Sequence, residues 1–225
     1  MFVLRKLAHA FLSAVVIAAL PFACQAQASG PRAELGPQVT EPHPDYGTVD
    51  SKHYVNGYFG FSYAYPQGWQ ANAVQSTAGA PSGTGQYALF TANPSVSAAA
   101  DMRYMTIVAD PLPKNTTPKA FLDGALKTFG APESGFQIIR SDQHYTFGGK
   151  QFYRIDLESK PSPGSPTVYE TQVFVVMPNY AVTFSFMAGN PKDIDSLVHS
   201  MESVSFDTAA APSRGATTEA KSQAR

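Results

Sequence analysis

The chain has 225 residues, of which 44% are hydrophobic, 12% aromatic and 15% charged, and its formal net charge is −1. This apolar and aromatic composition excludes a chain that is disordered throughout. The balanced charge argues against a nucleic-acid-binding protein, which needs a basic face for the phosphates. A single cysteine excludes an internal disulfide and a multi-thiolate metal site, and the length is that of one domain with appendages.

The N-terminus has the pattern of a secretory signal peptide. A positive pair at residues 5–6 precedes an apolar run over residues 7–20, and the sequence AQA at residues 26–28 is typical of a cleavage site. The apolar run is shorter than the roughly 20 residues of a membrane-spanning helix. We therefore predict that residues 1–28 are a signal peptide cleaved near Ala28, which leaves a mature chain without a transmembrane segment.

Cys24 lies inside this segment and leaves a second route open. Lipoprotein processing would attach a lipid to Cys24 and hold the chain at a membrane. That processing favours an aliphatic residue three positions before the cysteine, where this sequence has Pro21, so ordinary cleavage is the favoured hypothesis. By either route we expect an exported protein, periplasmic or secreted.

The rest of the chain divides into a linker, one domain and a tail. Residues 29–52 contain four prolines and scattered charges, which predicts an extended Pro-rich linker. Residues 207–225 are mainly small, polar and charged, without a large apolar side chain, which predicts a disordered tail. Residues 53–206 remain as one domain, which is long enough to bury a stable core without disulfides.

Alternation with a period of two predicts a domain rich in strands. In residues 59–65 four aromatic rings alternate with small residues, so the rings share one strand face, and Trp69 begins the next strand. Further strands are predicted over residues 86–92, 103–109, 153–158, 168–177 and 180–186, with a tight hairpin at residues 178–179. In the strand over residues 153–158 we predict one buried face and one wet face, the latter formed by Arg154, Asp156 and Glu158.

Two amphipathic helices are predicted, over residues 118–129 and 191–202. Thr117 and Asn190 are the expected N-caps, and a proline follows each cap at the first helical position. Apolar residues recur in each helix at helical spacing, so each has one stripe that must pack against a sheet. An α+β domain, with a mainly antiparallel sheet and a few packed helices, buries all of these faces.

Two stretches of the domain resemble the Mog1/PsbP-like superfamily. The sequence YFGFSYAYPQGW at residues 58–69 is similar to the family's aromatic first strand and Pro-x-Gly-Trp turn, and GGKQFYRI at residues 148–155 to its Gly-Lys-x-aromatic-Tyr strand. The closing strand SVSF at residues 203–206 also fits. The resemblance implies an α/β/α sandwich around a central, mainly antiparallel sheet flanked by a few helices. It also implies a binding or assembly factor rather than an enzyme.

Reactive side chains form no pattern that is specific for catalysis or for a metal. Ser62 is one residue short of a nucleophile elbow, but it lies inside an alternating strand. The histidines at positions 43, 53, 144 and 199 form no H-x-x-H motif. Asp156 and Glu158 share a strand face with Arg154, which is typical of a salt-bridged surface rather than of an acid–base pair. We expect no catalytic residue, metal or cofactor.

Aromatic residues between positions 54 and 69 are the remaining candidates for function. Most of these rings are expected in the core, since rings bury much area and pack together. The alternative is that a minority lines a groove for an apolar ligand or a protein partner. The candidate groove residues are Tyr54, Tyr58, Tyr63, Tyr65 and Trp69.

Taken together, the patterns favour a non-catalytic, exported accessory or binding protein of the bacterial envelope whose partner is an unidentified envelope protein. The alternative hypothesis is a carrier of a lipid or another hydrophobic small molecule, which would need a pocket between sheet and helix. A hydrolase is the third hypothesis. No nucleic-acid partner is expected.

Overall fold

The computed structural model describes residues 43–74, 85–95, 102–160 and 164–206. The predicted signal peptide with Cys24, the predicted tail and the first part of the predicted linker lie outside the described residues. Within the described ranges, neither helix is long and apolar enough to cross a bilayer.

The described part of the chain contains eleven β-strands and two α-helices. In chain order the strands are β1 (Gly47–Val49), β2 (His53–Asn56), β3 (Phe61–Ala64), β4 (Trp69–Ala73), β5 (Tyr87–Pro94), β6 (Tyr104–Pro111), β7 (Phe136–Phe147), β8 (Lys150–Ser159), β9 (Tyr169–Met177), β10 (Tyr180–Ala188) and β11 (Ser205–Phe206). The helices are α1 (Pro118–Phe129) and α2 (Pro191–His199), and 3₁₀ turns follow at Pro132–Ser134 and Ser200–Ser203.

These strands form two sheets, and every strand pair is antiparallel. The large sheet has the order β4-β5-β6-β10-β9-β8-β7, and the small sheet has the order β1-β2-β3-β11. A mainly antiparallel sheet with two helices agrees with the predicted α+β class. The small sheet is an addition to the expected sandwich, because it shares one face of the large sheet with α2.

Each face of the large sheet has its own apolar core. On one face, the buried side chains come from α1 and three strands: Phe121, Ala125, Phe129, Ile155, Leu157, Phe174 and Ala181. On the other face, the small sheet contributes Tyr54, Phe61 and Tyr63, and α2 contributes Ile194, Leu197 and Val198. Successive strand residues point to opposite faces, so the same strands supply both cores.

Both helices begin at the predicted capping residues. The Thr117 hydroxyl accepts a hydrogen bond from the backbone N–H of Ala120 at 3.1 Å, and the Asn190 side-chain oxygen accepts one from Asp193 at 3.0 Å. Helix α1 has the predicted bounds. Helix α2 ends at His199, and a 3₁₀ turn replaces the last predicted turn.

The first aromatic strand is shorter than predicted. Gly60 has a φ of 65°, a left-handed conformation that glycine adopts without strain, so β3 begins only at Phe61. Phe59 lies in the preceding turn, yet its ring packs in the same core as those of Phe61, Tyr63 and Tyr65. The prediction that these four rings share one side of the sheet is confirmed.

The predicted wet face of β8 is wrong. Arg154 and Asp156 are only 4% and 6% exposed, and the Asp195 carboxylate of α2 lies 3.0 Å from the Arg154 guanidinium. The covering helix lies far along the chain, so local alternation carries no sign of it.

The ordered domain begins before residue 53. Strand β1 lies within residues 29–52, and Gly47 packs directly on the Tyr54 ring, with no room for a side chain. This close approach explains a glycine at the start of the small sheet.

Candidate functional site

The five aromatic residues proposed for a groove do not share one surface. Tyr54 and Tyr63 are fully buried at 0% exposure, so neither ring reaches solvent. Tyr65 and Trp69 are partly buried, and their rings pack against the core between the two sheets. Tyr58 is the member with substantial exposure, at 39%.

The hydroxyl groups of the two buried tyrosines have protein partners. The Asn56 side-chain amide donates to the Tyr54 hydroxyl at 2.9 Å, and the Tyr63 and Ser200 hydroxyls are 2.6 Å apart. Burial raises the pKa of both phenols, so they stay neutral. Tyr54 and Tyr63 therefore join the small sheet to the large sheet as core residues.

The interior between the two sheets is packed with rings. Tyr54 lies 4.9 Å from Phe90, and Tyr63 lies 5.7 Å from Phe184, measured between ring centroids. Phe61 also lies 5.7 Å from Phe184. A hydrophobic ligand bound between the two sheets would have to displace rings that now contact one another. The carrier hypothesis places its pocket elsewhere, between sheet and helix.

Tyr58 belongs to a surface cluster that we call the tyrosine patch. Its members are His43, Tyr46, Tyr58, Tyr87 and Tyr180. They come from four places: the segment before β1, the β2–β3 turn, the start of β5 and the start of β10. Consecutive ring centroids are between 5.7 and 6.4 Å apart, so the rings form one continuous row.

The tyrosine patch is amphipathic. Tyr46 and Tyr58 are 43% and 39% exposed. Burial raises the pKa of Tyr180, and its interaction with Tyr58 raises it further. The patch therefore presents ring surface together with phenol hydroxyl groups, which suits contact with another molecule.

Sequence reasoning found only one member of the patch. Tyr58 lies in the aromatic run, whereas the other four residues are separated from it in the sequence and share no local spacing. Tyr87 and Tyr180 were predicted only as strand residues. Antiparallel pairing brings both to one end of the large sheet, since Tyr87 pairs with Ala109 and Tyr180 with Pro111.

A second candidate lies at the opposite end of β9 and β10. Tyr180 pairs with Met177 at the patch end, whereas Tyr169 pairs with Ala188 at the far end. Here a cleft of about 220 Å³ opens between the first turn of α2 and strands β7, β8 and β9. We call it the charged cleft, and its charged lining includes Arg140, Arg154, Asp156, Glu158 and Asp195.

The floor of the charged cleft is a buried network of ion pairs. Arg154 donates to Asp156 at 2.6 Å and to Asp195 of α2 at 3.0 Å. Asp156 also accepts from the Thr171 hydroxyl at 2.6 Å and pairs with Arg140 at 3.1 Å. Because both oxygens of Asp156 are engaged, this carboxylate is held for structure and is not free to act as a general base.

The other reactive residues named from the sequence form no catalytic arrangement with these groups. The Ser62 hydroxyl lies 2.8 Å from that of Ser205, across the β3–β11 pair. His53 lies near Asp50, and His199 pairs with Glu202 in the turn that follows α2. Among the residues that the structure describes, no three histidine, cysteine, aspartate or glutamate side chains are grouped to hold a metal ion.

No protein-family model matches the chain, and no curated protein matches it by sequence. Solved structures give matches at low identity. Cyanobacterial PsbP (CyanoP) from Synechocystis is 12% identical with a TM-score of 0.49, and the match covers 71% of this chain and 95% of that chain. The Saccharomyces cerevisiae Ran-binding protein Mog1p is 12% identical with a TM-score of 0.38, over 69% of this chain and 85% of that chain.

Both matched proteins are members of the Mog1/PsbP-like fold group, which is the group that the aromatic run and the Gly-Lys strand indicate. LpqN of Mycobacterium tuberculosis, described as involved in cell envelope biogenesis, is also similar, with 16% identity and a TM-score of 0.42 over 64% of this chain and 82% of that chain. At these identities and scores the likeness concerns the fold and carries no activity.

Proposed function

We propose that the protein is a non-catalytic, exported binding protein and that the tyrosine patch is the surface that receives a protein partner. The supporting observation is the continuous row of five rings from four chain segments, with Tyr46 and Tyr58 at 43% and 39% exposure. Tyrosine is enriched in protein interfaces, because it offers a large contact area together with a hydroxyl group for hydrogen bonding.

The construction of the patch supports recognition by a preformed surface. Tyr58 contacts Phe59 and Tyr180 edge to face at 4.9 and 5.8 Å, and Phe59 is itself buried. The exposed ring of Tyr58 is thus supported from below by core residues. A supported ring loses little conformational entropy when a partner covers it, which favours affinity.

The cellular setting of the proposal comes from the signal-peptide pattern of residues 1–28. An exported chain meets its partner in the envelope or outside the cell. We therefore expect an envelope protein whose contact surface is partly apolar and carries hydrogen-bonding groups that match the tyrosine hydroxyls.

Photo-crosslinking tests the position of the interface. A benzophenone amino acid replaces Tyr46 or Tyr58 in the full chain, which is expressed in its own cell and irradiated. We expect one discrete crosslinked protein from both positions. The matched control is the same amino acid at Lys119, which lies on α1 on the opposite face of the large sheet and whose side chain is 82% exposed. Equal crosslinking from Lys119, or none from either tyrosine, would count against the patch.

A surface variant tests whether the patch contributes affinity. The double substitution Tyr46→Ser and Tyr58→Ser removes the two exposed rings and leaves the buried core unchanged. We expect capture of the crosslinked partner to fall at least tenfold, while the thermal unfolding temperature changes by only a few degrees. The control pair Lys119→Ser and Asp123→Ser should capture the partner as well as the natural protein does.

A further inference from the structure

The charged cleft has a charge that its own residues do not balance. The charged side chains that line the cleft are two guanidinium groups, of Arg140 and Arg154, and four carboxylates, of Asp156, Glu158, Glu170 and Asp195. Asp156 forms ion pairs with both guanidinium groups, and Asp195 forms an ion pair with Arg154. Glu158 is left without a cation.

Glu158 has only neutral hydrogen-bond partners. The Gln137 amide donates to one of its oxygens at 3.0 Å, and the Tyr169 hydroxyl lies 3.5 Å from the other. Within the described ranges, none of the ion pairs includes Glu158. Asp195 has a side chain that is 66% exposed, and Arg154 contacts one of its two oxygens. Glu170 likewise accepts from a neutral group, the Gln172 amide, at 3.0 Å. One additional cation would therefore reduce the excess of carboxylates in the cleft.

The walls beside these carboxylates are apolar. Ile139 on β7 is 50% exposed, one of the few large apolar side chains of the described chain with that much exposure. Pro191 and Ile194 of α2 line the same cleft. An apolar wall next to unbalanced carboxylates matches a ligand with an aliphatic stem and a positively charged end, because each part then meets its complement.

The size of the cleft selects among such ligands. Sites for small organic molecules usually have about 300–1,000 Å³. The charged cleft has about 220 Å³, which is enough for one long side chain but small for a whole organic ligand. Its buried floor, formed by Arg154, Asp156 and Thr171, is already fixed by hydrogen bonds before anything binds.

We propose that the charged cleft receives one lysine or arginine side chain of a partner polypeptide, with the stem against Ile139 and Pro191 and the cation between Glu158 and Asp195. This site lies at the other end of β9 and β10 from the tyrosine patch, and it does not depend on the proposed role of the patch.

Blocked pentapeptides are suitable probes, because each places one side chain between glycines. The series is acetyl-Gly-Gly-X-Gly-Gly-amide with X as lysine, arginine, norleucine or glutamate, titrated into the isotopically labelled protein and followed by two-dimensional NMR. We expect the lysine and arginine peptides to shift the backbone amides of Ile139, Glu158, Tyr169 and Ile194, with millimolar dissociation constants. Norleucine, which keeps the stem without the charge, should bind about fivefold more weakly, and glutamate should not bind.

Two variants and one control locate the site. Glu158→Gln keeps the shape of the side chain and should weaken the lysine peptide about fivefold without changing the norleucine peptide. Ile139→Ser removes the apolar wall and should weaken both peptides. Glu202→Gln is the control, since Glu202 is a similarly acidic residue near α2 that pairs with His199 outside the cleft.

The outcomes separate clearly. Shifts confined to the cleft, selective for positive charge and reduced by Glu158→Gln, support the proposal. Equal shifts with lysine and norleucine peptides, an unchanged titration in Glu158→Gln, or no shift with 20 mM lysine peptide would overturn it. Crosslinking from Tyr58 is unaffected by any of these results, so the two proposals fail separately.

Discussion

The two ends of the large sheet bury acidic groups in different ways. At the charged cleft, Asp156 is 6% exposed and accepts hydrogen bonds or ion pairs on both oxygens. At the end that carries the tyrosine patch, Asp110 on β6 is also 6% exposed, but one of its carboxylate oxygens has no partner among the described residues. Asp110 pairs in register with Ala181, next to Tyr180.

This difference determines how the unfavourable desolvation of each buried carboxyl group is compensated. Asp156 is stabilised by two guanidinium groups and one hydroxyl. Burial raises the pKa of Asp110 to about 6, although a hydrogen bond from Gln86 opposes the shift. A buried carboxylate thus either finds a cation or keeps its proton up to a higher pH than usual, and the two ends of one sheet show these two arrangements.

The largest expected effect comes from breaking the buried pair. Arg154→Met removes the cation and leaves Asp156 buried with only Arg140 and Thr171 as partners, so we expect the free energy of unfolding to fall by about 3 kcal/mol. Urea unfolding followed by circular dichroism measures it. Adding Asp156→Leu to the same chain should restore part of the loss, because the stranded carboxylate is then gone. A cost under about 1 kcal/mol for Arg154→Met would show that the pair is not a main support of α2.

Asp110→Asn should raise the free energy of unfolding, by an amount that depends on pH. The pKa of Asp110 is about 6 in the folded protein, against an ordinary value of 3.8. The folded state therefore holds the proton more tightly, and the stability that this proton contributes is complete below pH 3.8 and is lost as the pH rises through 6. Asparagine stays neutral, so the variant should be about 2–3 kcal/mol more stable than the natural protein at pH 8 and nearly equal at pH 4.

The control for this pH series is Asp123→Asn. Asp123 lies on the exposed side of α1 and pairs with Lys119 at 2.7 Å. Its substitution should change stability by less than about 0.5 kcal/mol at either pH. If Asp110→Asn changes the free energy of unfolding by the same small amount at pH 4 and pH 8, burial does not raise the pKa of Asp110.

Removing the helix caps should have a smaller effect on stability. Asn190→Ala removes the cap of the helix that forms one wall of the charged cleft, and Thr117→Ala removes the cap of α1 on the opposite face. Each should cost about 1 kcal/mol in thermal or urea unfolding. Only Asn190→Ala should also alter the NMR signals of Ile139 and Arg154, whose surroundings depend on the first turn of α2. Equal changes from both variants would mean that the cleft is not tied to the start of α2.

The elements most predictable from the sequence were those with unbroken local patterns. Helix α1 has a proline, a cap and a regular apolar stripe, and its predicted bounds match the structure. Strand β10 alternates regularly, and β9 is apolar towards its end; a two-residue turn joins them, in which Asn179 adopts a positive φ of 64°. In each case the signal lies within about ten residues, which is the range over which periodicity acts.

Strand β7 was missed, although it is the longest strand described. Its pairing with β8 shifts register between Ile138 and Arg140 and again between Arg140 and Gln143. Each irregularity reverses which residues face the core, so the alternation that identifies a strand is interrupted. The same irregularity places Ile139 and Arg140 at the charged cleft.

Both candidate surfaces escaped prediction because they depend on pairing between distant segments. The tyrosine patch joins Tyr46, Tyr58, Tyr87 and Tyr180, which no local pattern connects. The burial of Arg154 depends on α2, which contacts it through Asp195. Whether Arg154 and its neighbours were wet or covered could not be read from β8 alone, because its polar residues have the same spacing in both cases.

Strand β11 determines when the domain can finish folding. Its hydroxyl contact between Ser205 and Ser62 spans 143 positions of the chain, and Phe206 pairs with Phe61. Closing a loop of that length is slow, and it cannot begin before the last residues exist. We therefore expect the small sheet to assemble late, only when nearly the whole domain has been synthesised. A chain that passes through a narrow export channel from its N-terminus would complete this sheet only after β11 has emerged.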